Sequence, residues 1–264
     1  MIATFQEVVL QSHGLRIALR SNVSGLLDQV LARSAAFAEP VRGEAQLAYS
    51  VEQRRSDIGL RYSVRWSPGR VWQTSCPREA LDWVLRLMQL KVAEDAPGQI
   101  FVHAGVVAWN GHAILLPGRT FTGKTSLVVA LLRRGATYYS DEYAVLDAYG
   151  KVHPYPRPLQ VRSDHGFSLF APHMLGASVG SEPMDVSLLV FARFQEASTW
   201  RSRPITPGNA MLRLLANTVC ARKRTHEALA CLRLVARNAP AFCALRGEGD
   251  HAVSHVLDLL TKRP

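Results

Sequence analysis

The stretch from His112 to Asp147, HAILLPGRTFTGKTSLVVALLRRGATYYSDEYAVLD, constrains the fold more than any other part of the chain, because it reads as a strand, a glycine-bounded loop, a helix and a second strand. Gly118 and Gly123 bracket four residues and are followed by Lys124 and Thr125. This fills the phosphate-loop pattern G-x-x-x-x-G-K-S/T with no substitution. Ala113 to Leu116 is an apolar run of strand length, and Ser126 to Arg134 places Leu127, Val128, Leu131 and Leu132 on one helical face. A strand enters the loop and a helix leaves it, so an α/β fold is expected.

Each residue type in that loop has a physical task. The expected cradle comprises Gly118, Arg119, Thr120, Phe121, Thr122, Gly123, Lys124, Thr125 and Ser126. Its glycines permit backbone angles and a close approach that a Cβ would block. Amide N–H groups at the start of a helix, whose dipole favours negative charge, then hold a phosphate before any side chain is counted. Lys124 adds a mobile positive charge. The Thr125 hydroxyl is placed to ligate Mg²⁺, which binds mainly through phosphates, waters and one or two carboxylates. Nucleotide binding follows, with ATP and Mg²⁺ as the expected ligands.

The chain as a whole has 264 residues, 48% hydrophobic and 20% charged, enough for one sizeable core or for a domain with a smaller appendage. No apolar run approaches the roughly 18 residues of a membrane span. The N-terminus MIATFQEVVLQSHG lacks a basic cluster followed by an apolar core, so no secretory signal is read there and a cytoplasmic protein is expected. Cys76, Cys220, Cys231 and Cys243 lie too far apart for a zinc knuckle or a redox pair, and read as reduced core residues. The formal net charge of +10 points to an anionic partner. Between Arg193 and Arg237 nine basic residues face two acids, Glu196 and Glu227. That stretch lacks interleaved aromatics or a nucleic-acid module, so a nucleic-acid partner is not expected.

Residues 1–95 read as a small α+β region, with strand-like alternation at Leu15–Leu19 and Leu60–Trp66 and a helix over Ser24–Arg33. Pro77 to Ala93 reads as a helix with proline at its first turn, ended by Pro97-Gly98, and residues 96–264 as the phosphate-loop domain. Asn110-Gly111 marks a hairpin feeding the loop. Pro154, Pro156 and Pro158 impose an extended path, and Val186–Phe191 suits a buried central strand. Helices are expected over Asn209–Val219 and Thr225–Arg237, a short strand over Phe242–Leu245 and a closing helix over His251–Leu260.

Only 17 residues separate Lys124 from the pair Asp141-Glu142, which is expected on the strand after the loop's helix. Phosphoryl transfer to a hydroxyl needs one carboxylate to accept a proton and another group to hold Mg²⁺ against the phosphates. Asp141 and Glu142 can divide these roles, provided the strand ends or twists there, since neighbouring strand residues face opposite ways. His103 lies one strand and a turn before the loop, where it can come beside the phosphates or Asp141. Arg157, in PYPRPLQVR, is a candidate clamp on phosphate or acceptor.

Three segments, FVHAGVV, GRTFTGKTS and RGATYYSDEYAVL, resemble the C-terminal catalytic domain of HPr kinase/phosphorylase and its HPr-kinase-related relatives, over about residues 100–165. A histidine-bearing strand before the loop, and a glycine then an acidic pair after its helix, match His103, Gly135 and Asp141-Glu142. The resemblance implies a P-loop domain related to phosphoenolpyruvate carboxykinase, with a mixed sheet. It implies Asp141 as general base on a serine hydroxyl, Glu142 as a metal holder in place of the family's usual Asp, and, with Lys124 and His103, a catalytic set. It also implies a homo-oligomer. The family's arginine- and glycine-rich segment tied to phosphorolysis has no counterpart, and residues 1–95 do not align with the family's regulatory domain. HPr-kinase-like proteins in peptide biosynthetic clusters, some of which phosphorylate a precursor peptide, are compatible with this shortened form.

The expected function is an ATP-dependent, Mg²⁺-requiring kinase acting on a hydroxyl of an acidic protein or peptide. Two rivals stand beside it. A small-molecule kinase shares the short spacing from loop to acid, whereas a nucleotide-gated binding protein needs no general base.

Overall fold

Apolar residues that alternate along a strand bury one face of a sheet. Residues 1–97 form one such unit and residues 98–264 a second. This computed structural model describes residues 4–57, 59–118, 122–163 and 166–261. The chain is an α/β protein with mixed sheets.

The first unit runs β1 (Gln6–Ser12), β2 (Leu15–Ser21), α1 (Leu26–Ser34), β3 (Glu39–Val41), β4 (Leu47–Ser56), β5 (Gly59–Ser67), β6 (Arg70–Thr74) and α2 (Pro77–Asp95). Its sheet has the order β3-β1-β2-β4-β5-β6, with β2 and β4 parallel across the α1 crossover and the other pairs antiparallel. Ile17 and Leu19, Tyr49 and Val51, and Tyr62 and Val64 recur at every second position and are buried. Leu81, Val84, Leu85 and Met88 of α2 are buried at helical spacing, and Trp83 stacks on Trp72 of β6 at 5.2 Å.

In the second unit β7 (Gln99–Trp109) and β8 (His112–Pro117) form the expected hairpin, with Asn110 at φ 48° in its turn. Then come α3 (Lys124–Arg133), β9 (Thr137–Ser140), β10 (Tyr143–Asp147), β11 (Lys151–His153), β12 (Leu159–Ser163), β13 (Gly166–Phe170) and β14 (Met184–Phe194). The chain closes with β15 (Arg201–Ile205), α4 (Pro207–Leu215), α5 (Thr225–Asn238), β16 (Ala241–Arg246) and α6 (Gly249–Thr261). The sheet order is β11-β10-β7-β8-β14-β16-β15, with β9 beside β7. β8, β14 and β16 run parallel and the remaining neighbours antiparallel.

Both faces of this sheet are covered. Ile100, Val102, Ala104, Val106, Leu115 and Leu189 pack with α4 and α5. Val107, Ile114, Leu116, Leu188 and Val190 pack with α3 and α6. β14, buried from Val186 to Val190 and apolar there except at Ser187, is central because a strand buried on both sides is almost wholly apolar.

Two elements depart from the sequence reading. α4 ends at Leu215 instead of Val219, because Asn217 Nδ2 and Thr218 Oγ1 donate back to Arg213 O (2.8 Å) and Leu214 O (2.9 Å) and draw the chain out of the helix. Asn217 to Val219 then run along β7, with His103 N donating to Asn217 O and Val219 N to Phe101 O. The strand β15, RSRPI, lies inside the basic stretch before α4, where the sequence reading places no element, and its Pro204 is tolerated on an edge strand. No helix among the described residues is long and apolar enough to cross a membrane.

Candidate functional site

A loop can present bare amides only where the chain leaves a strand and turns at once into a helix, and the end of β8 is such a place. Gly118 N donates to His103 O (3.1 Å), which ties the loop's first residue to β7. A Cβ on Gly118 would stand 2.7 Å from Thr122 Oγ1, so the loop closes onto its own glycine. Gly123, at φ 84°, precedes the first turn of α3. Ser126 Oγ donates to Gly123 O at 2.8 Å and fixes that turn. Arg119, Thr120 and Phe121 lie outside the described residues.

β9 and β10 together face β7. Ser140 is opposite Val106 and Tyr143 opposite His103, so Asp141 and Glu142 occupy the interruption between two strands that share one partner. This is the local break that two adjacent acids need to reach a single site. Glu142 O still accepts from Ala104 N (3.3 Å), and Ser140 Oγ accepts from the amides of Glu142 (3.3 Å) and Tyr143 (3.1 Å), which holds the bend. Gly105 leaves room for α3, since a Cβ there would stand 2.5 Å from Val128 Cγ2.

The carboxylates meet the loop. Thr125 Oγ1 donates to Asp141 Oδ2 at 2.8 Å, while Asp141 Oδ1 is buried without a hydrogen-bond partner among the described residues. Burial pushes the Asp141 carboxyl up to about 7, against the pull of the Thr125 bond and the Lys124 charge and with a further push from Glu142. Burial likewise lowers the Lys124 ammonium, which Glu142 and Asp141 partly restore. His103 has its Nδ1 3.8 Å from Glu142 Oε1 and its ring against Tyr143, at 4.7 Å between centroids. Burial draws the imidazole below its ordinary value, Glu142 opposing and Lys124 reinforcing that shift. Arg157 is half-buried; its carbonyl accepts from Tyr138 Oη (2.7 Å) and its charge bears on Asp141.

The fold thus gathers Gly118, Thr122 to Ser126, Asp141, Glu142, His103 and Arg157 around one strand end. Mg²⁺ needs oxygen donors and one or two carboxylates. The Thr125 hydroxyl, the Glu142 carboxylate and the orphaned Asp141 oxygen fit it. No cluster of three or more His, Cys, Asp or Glu residues suited to a metal occurs among the described residues.

Two residues at this end escaped the sequence reading. Arg246, the last residue of β16, is 1% exposed and donates to Gly123 O, to Ser126 Oγ (2.9 Å) and to Gly247 O (2.6 Å). Phe194, the last residue of β14, donates its backbone N–H to Thr122 O (3.3 Å). Their partners lie some 70 and 120 positions away, and nothing in the local pattern announces them.

A cleft of about 1150 Å³ opens at the opposite end of the sheet, where β8, β14 and β16 begin, lined in part by His112, Lys151, Asp185 and Pro204. It contains none of the site residues above. In open α/β sheets, ligands bind beyond the carboxyl ends of the strands, which is where the loop and the two acids lie.

No protein-family model matches this chain, and no curated protein matches it.

Proposed function

We propose that this chain is a P-loop phosphotransferase of the HPr-kinase type, which moves the γ-phosphoryl group of ATP to a hydroxyl, most simply a serine, of a protein or peptide. The observation that carries the reading is the Asp141 carboxyl. It is buried against the loop's threonine at 2.8 Å, raised to about 7 by that burial, and keeps one oxygen without a hydrogen-bond partner among the described residues. A nucleotide switch needs an anion cradle and a metal ligand, but not a carboxylate poised near neutrality. A general base does.

In the proposed reaction the acceptor's O–H proton passes to Asp141 as its oxygen bonds to the γ-phosphorus. The bond from that phosphorus to the β–γ bridging oxygen breaks, and ADP leaves with the electron pair. Lys124 and the loop amides hold the phosphates in line, which is where most of the catalysis in phosphoryl transfer arises. Bound Mg²⁺ would neutralise charge on the phosphates, with Thr125 and Glu142 as its protein ligands and Asp141 beside it. His103, 3.8 Å from Glu142, orients that carboxylate. Arg157 faces the acceptor side as a clamp. The mixed sheet is compatible with the phosphoenolpyruvate carboxykinase-related P-loop fold that the resemblance implies.

The test is transfer of labelled γ-phosphate to a panel of peptides and small hydroxyl compounds, with Asp141→Asn beside the parent. The variant should bind Mg·ATP as the parent does and lose about 10²- to 10⁴-fold in transfer. Labelling of small compounds alone would favour a small-molecule kinase. ATP binding without transfer by the parent would favour the nucleotide-gated binding protein.

A further inference from the structure

β8, β14 and β16 lie side by side and parallel, so their carboxyl ends form one edge. β8 delivers the phosphate loop to that edge, and the next two strands, β14 and β16, end on Phe194 and Arg246, which face each other in register. Neither has a part in the proposed transfer, and each is unusual for its place. Arg246 is a buried cation whose Nε has no hydrogen-bond partner among the described residues, and Glu248 bears on its charge without forming an ion pair with it. A buried charge without a close ion-pair partner is costly. Its guanidinium donates to the Gly123 carbonyl and to the Ser126 hydroxyl, at the junction of the glycine-bounded loop and α3. An anion held by that loop would add countercharge to what Glu248 supplies.

Phe194 is the complementary oddity. It is a large apolar side chain that keeps 39% exposure at the end of a strand whose apolar middle, Leu188 to Val190, is buried. The Arg246 guanidinium carbon stands over its ring at 5.5 Å, and a Cβ on Gly123 would be 3.1 Å from Phe194 Cβ. The ring is thus held by a buried cation at the mouth of the phosphate cradle and still open to solvent. An aromatic ring in that position offers a π-face to any planar heterocycle tethered to the phosphates.

We infer that Phe194, braced by Arg246, is the platform on which the aromatic base of a nucleoside triphosphate stacks while its phosphates occupy the loop. This rests on the phosphate-loop reading and adds to it the side from which the nucleoside is gripped. Stacking on a phenylalanine ring tolerates every base, so the platform holds purine and pyrimidine nucleotides alike and selects nucleotides against bare polyphosphate.

Calorimetry with Mg·ATP and with Mg·tripolyphosphate tests it on the full chain. Phe194→Ala should weaken ATP by about ten-fold, within the range for loss of one base–aromatic stack, and leave tripolyphosphate at the parental affinity. Phe194→Trp should keep ATP binding. Where the alanine variant does not fold, Phe194→Leu preserves apolar volume without a π-face and should show the same split. In the parent, saturation transfer from aromatic protein protons should reach the base protons of ATP more strongly than its ribose protons. Unchanged ATP affinity in both variants, equal losses for ATP and tripolyphosphate, or stronger transfer to ribose would overturn the platform while leaving the phosphate loop intact. A parent that binds neither ligand would overturn the loop reading and this inference with it.

Discussion

Gly123 shows how much one residue carries. It adopts φ 84°, and an added Cβ would stand 2.5 Å from Arg246 Nη2 and 3.1 Å from Phe194 Cβ. Gly123→Ala therefore meets both backbone strain, worth about 1–3 kcal/mol, and a collision with a buried guanidinium. The variant should melt lower and bind Mg·ATP more weakly; parental values of both in a thermal scan and a calorimetric titration would show that the turn has slack. Lys124→Ala removes a charged donor to phosphate, a loss of about 1.5–3 kcal/mol, or about 10- to 100-fold in affinity. Equal ATP affinity in that variant would remove the phosphate-loop assignment. Both residues were legible in the sequence, because glycine and lysine at fixed spacing have few other reasons to occur together. The Thr125–Asp141 contact was legible only as a role for each partner, since their meeting depends on where the second strand docks.

At the scale of elements, the site depends on β9 and β10 reaching the same neighbour, and the turn after β10 helps to hold that strand. Asp147 Oδ1 accepts from the amides of Tyr149 and Lys151, both at 2.9 Å, and Oδ2 lies 2.9 Å from His153 Nε2. Burial alone would raise this carboxyl, but the His153 bond and the two amides hold it below its ordinary value of 3.8. A lowered folded-state value means stability that is present above about pH 4 and lost as pH falls through the folded value. Asp147→Ala should cost about 1–2 kcal/mol at pH 7 and flatten the acid limb of the stability curve. Urea titrations at pH 7 and pH 3 that show the same difference between parent and variant would contradict this. Tyr149-Gly150 marks that turn in the sequence, the glycine supplying φ 81°. Its carboxylate clasp has no such mark, because an aspartate at the end of an apolar run gives no sign of which amides it will meet. α4 shows the converse: the helical pattern continued to Val219, and only the place beside β7 drew Asn217 to Val219 into an extended path.

Across the whole molecule the positive charge is uneven, with 19 of the 31 basic residues but only 11 of the 21 acidic ones in residues 98–264. The run from Arg193 to Arg237 is not a single free face. Arg224 donates to Gln99 O (3.0 Å) and pairs with Glu227, and Arg213 lies over Phe191 at 6.0 Å. Arg201, Arg203 and Arg222 are exposed, and these are the positions from which an acidic acceptor would be attracted. Exposed charges are screened over about 8 Å at physiological salt. The KM of an acidic peptide acceptor should therefore rise with salt and rise again in the triple variant Arg201→Glu, Arg203→Glu, Arg222→Glu, while the KM of ATP, held by enclosed amides, changes less. An acceptor KM indifferent to both would place docking elsewhere.

What the sequence determined by itself is local: a glycine-bounded loop between strand and helix, an acidic pair one element later, and a hairpin at Asn110-Gly111. In each, the signal is a residue type that only one backbone geometry accommodates. Tertiary structure decided what depends on contacts between distant segments. The interruption between β9 and β10 brings two adjacent acids to one site because both strands share β7. The ends of β14 and β16 bring Phe194 and Arg246 to Gly123 because those strands run parallel beside β8. Strand order is fixed by burial of both faces of the whole sheet, and no window of the chain contains that sum.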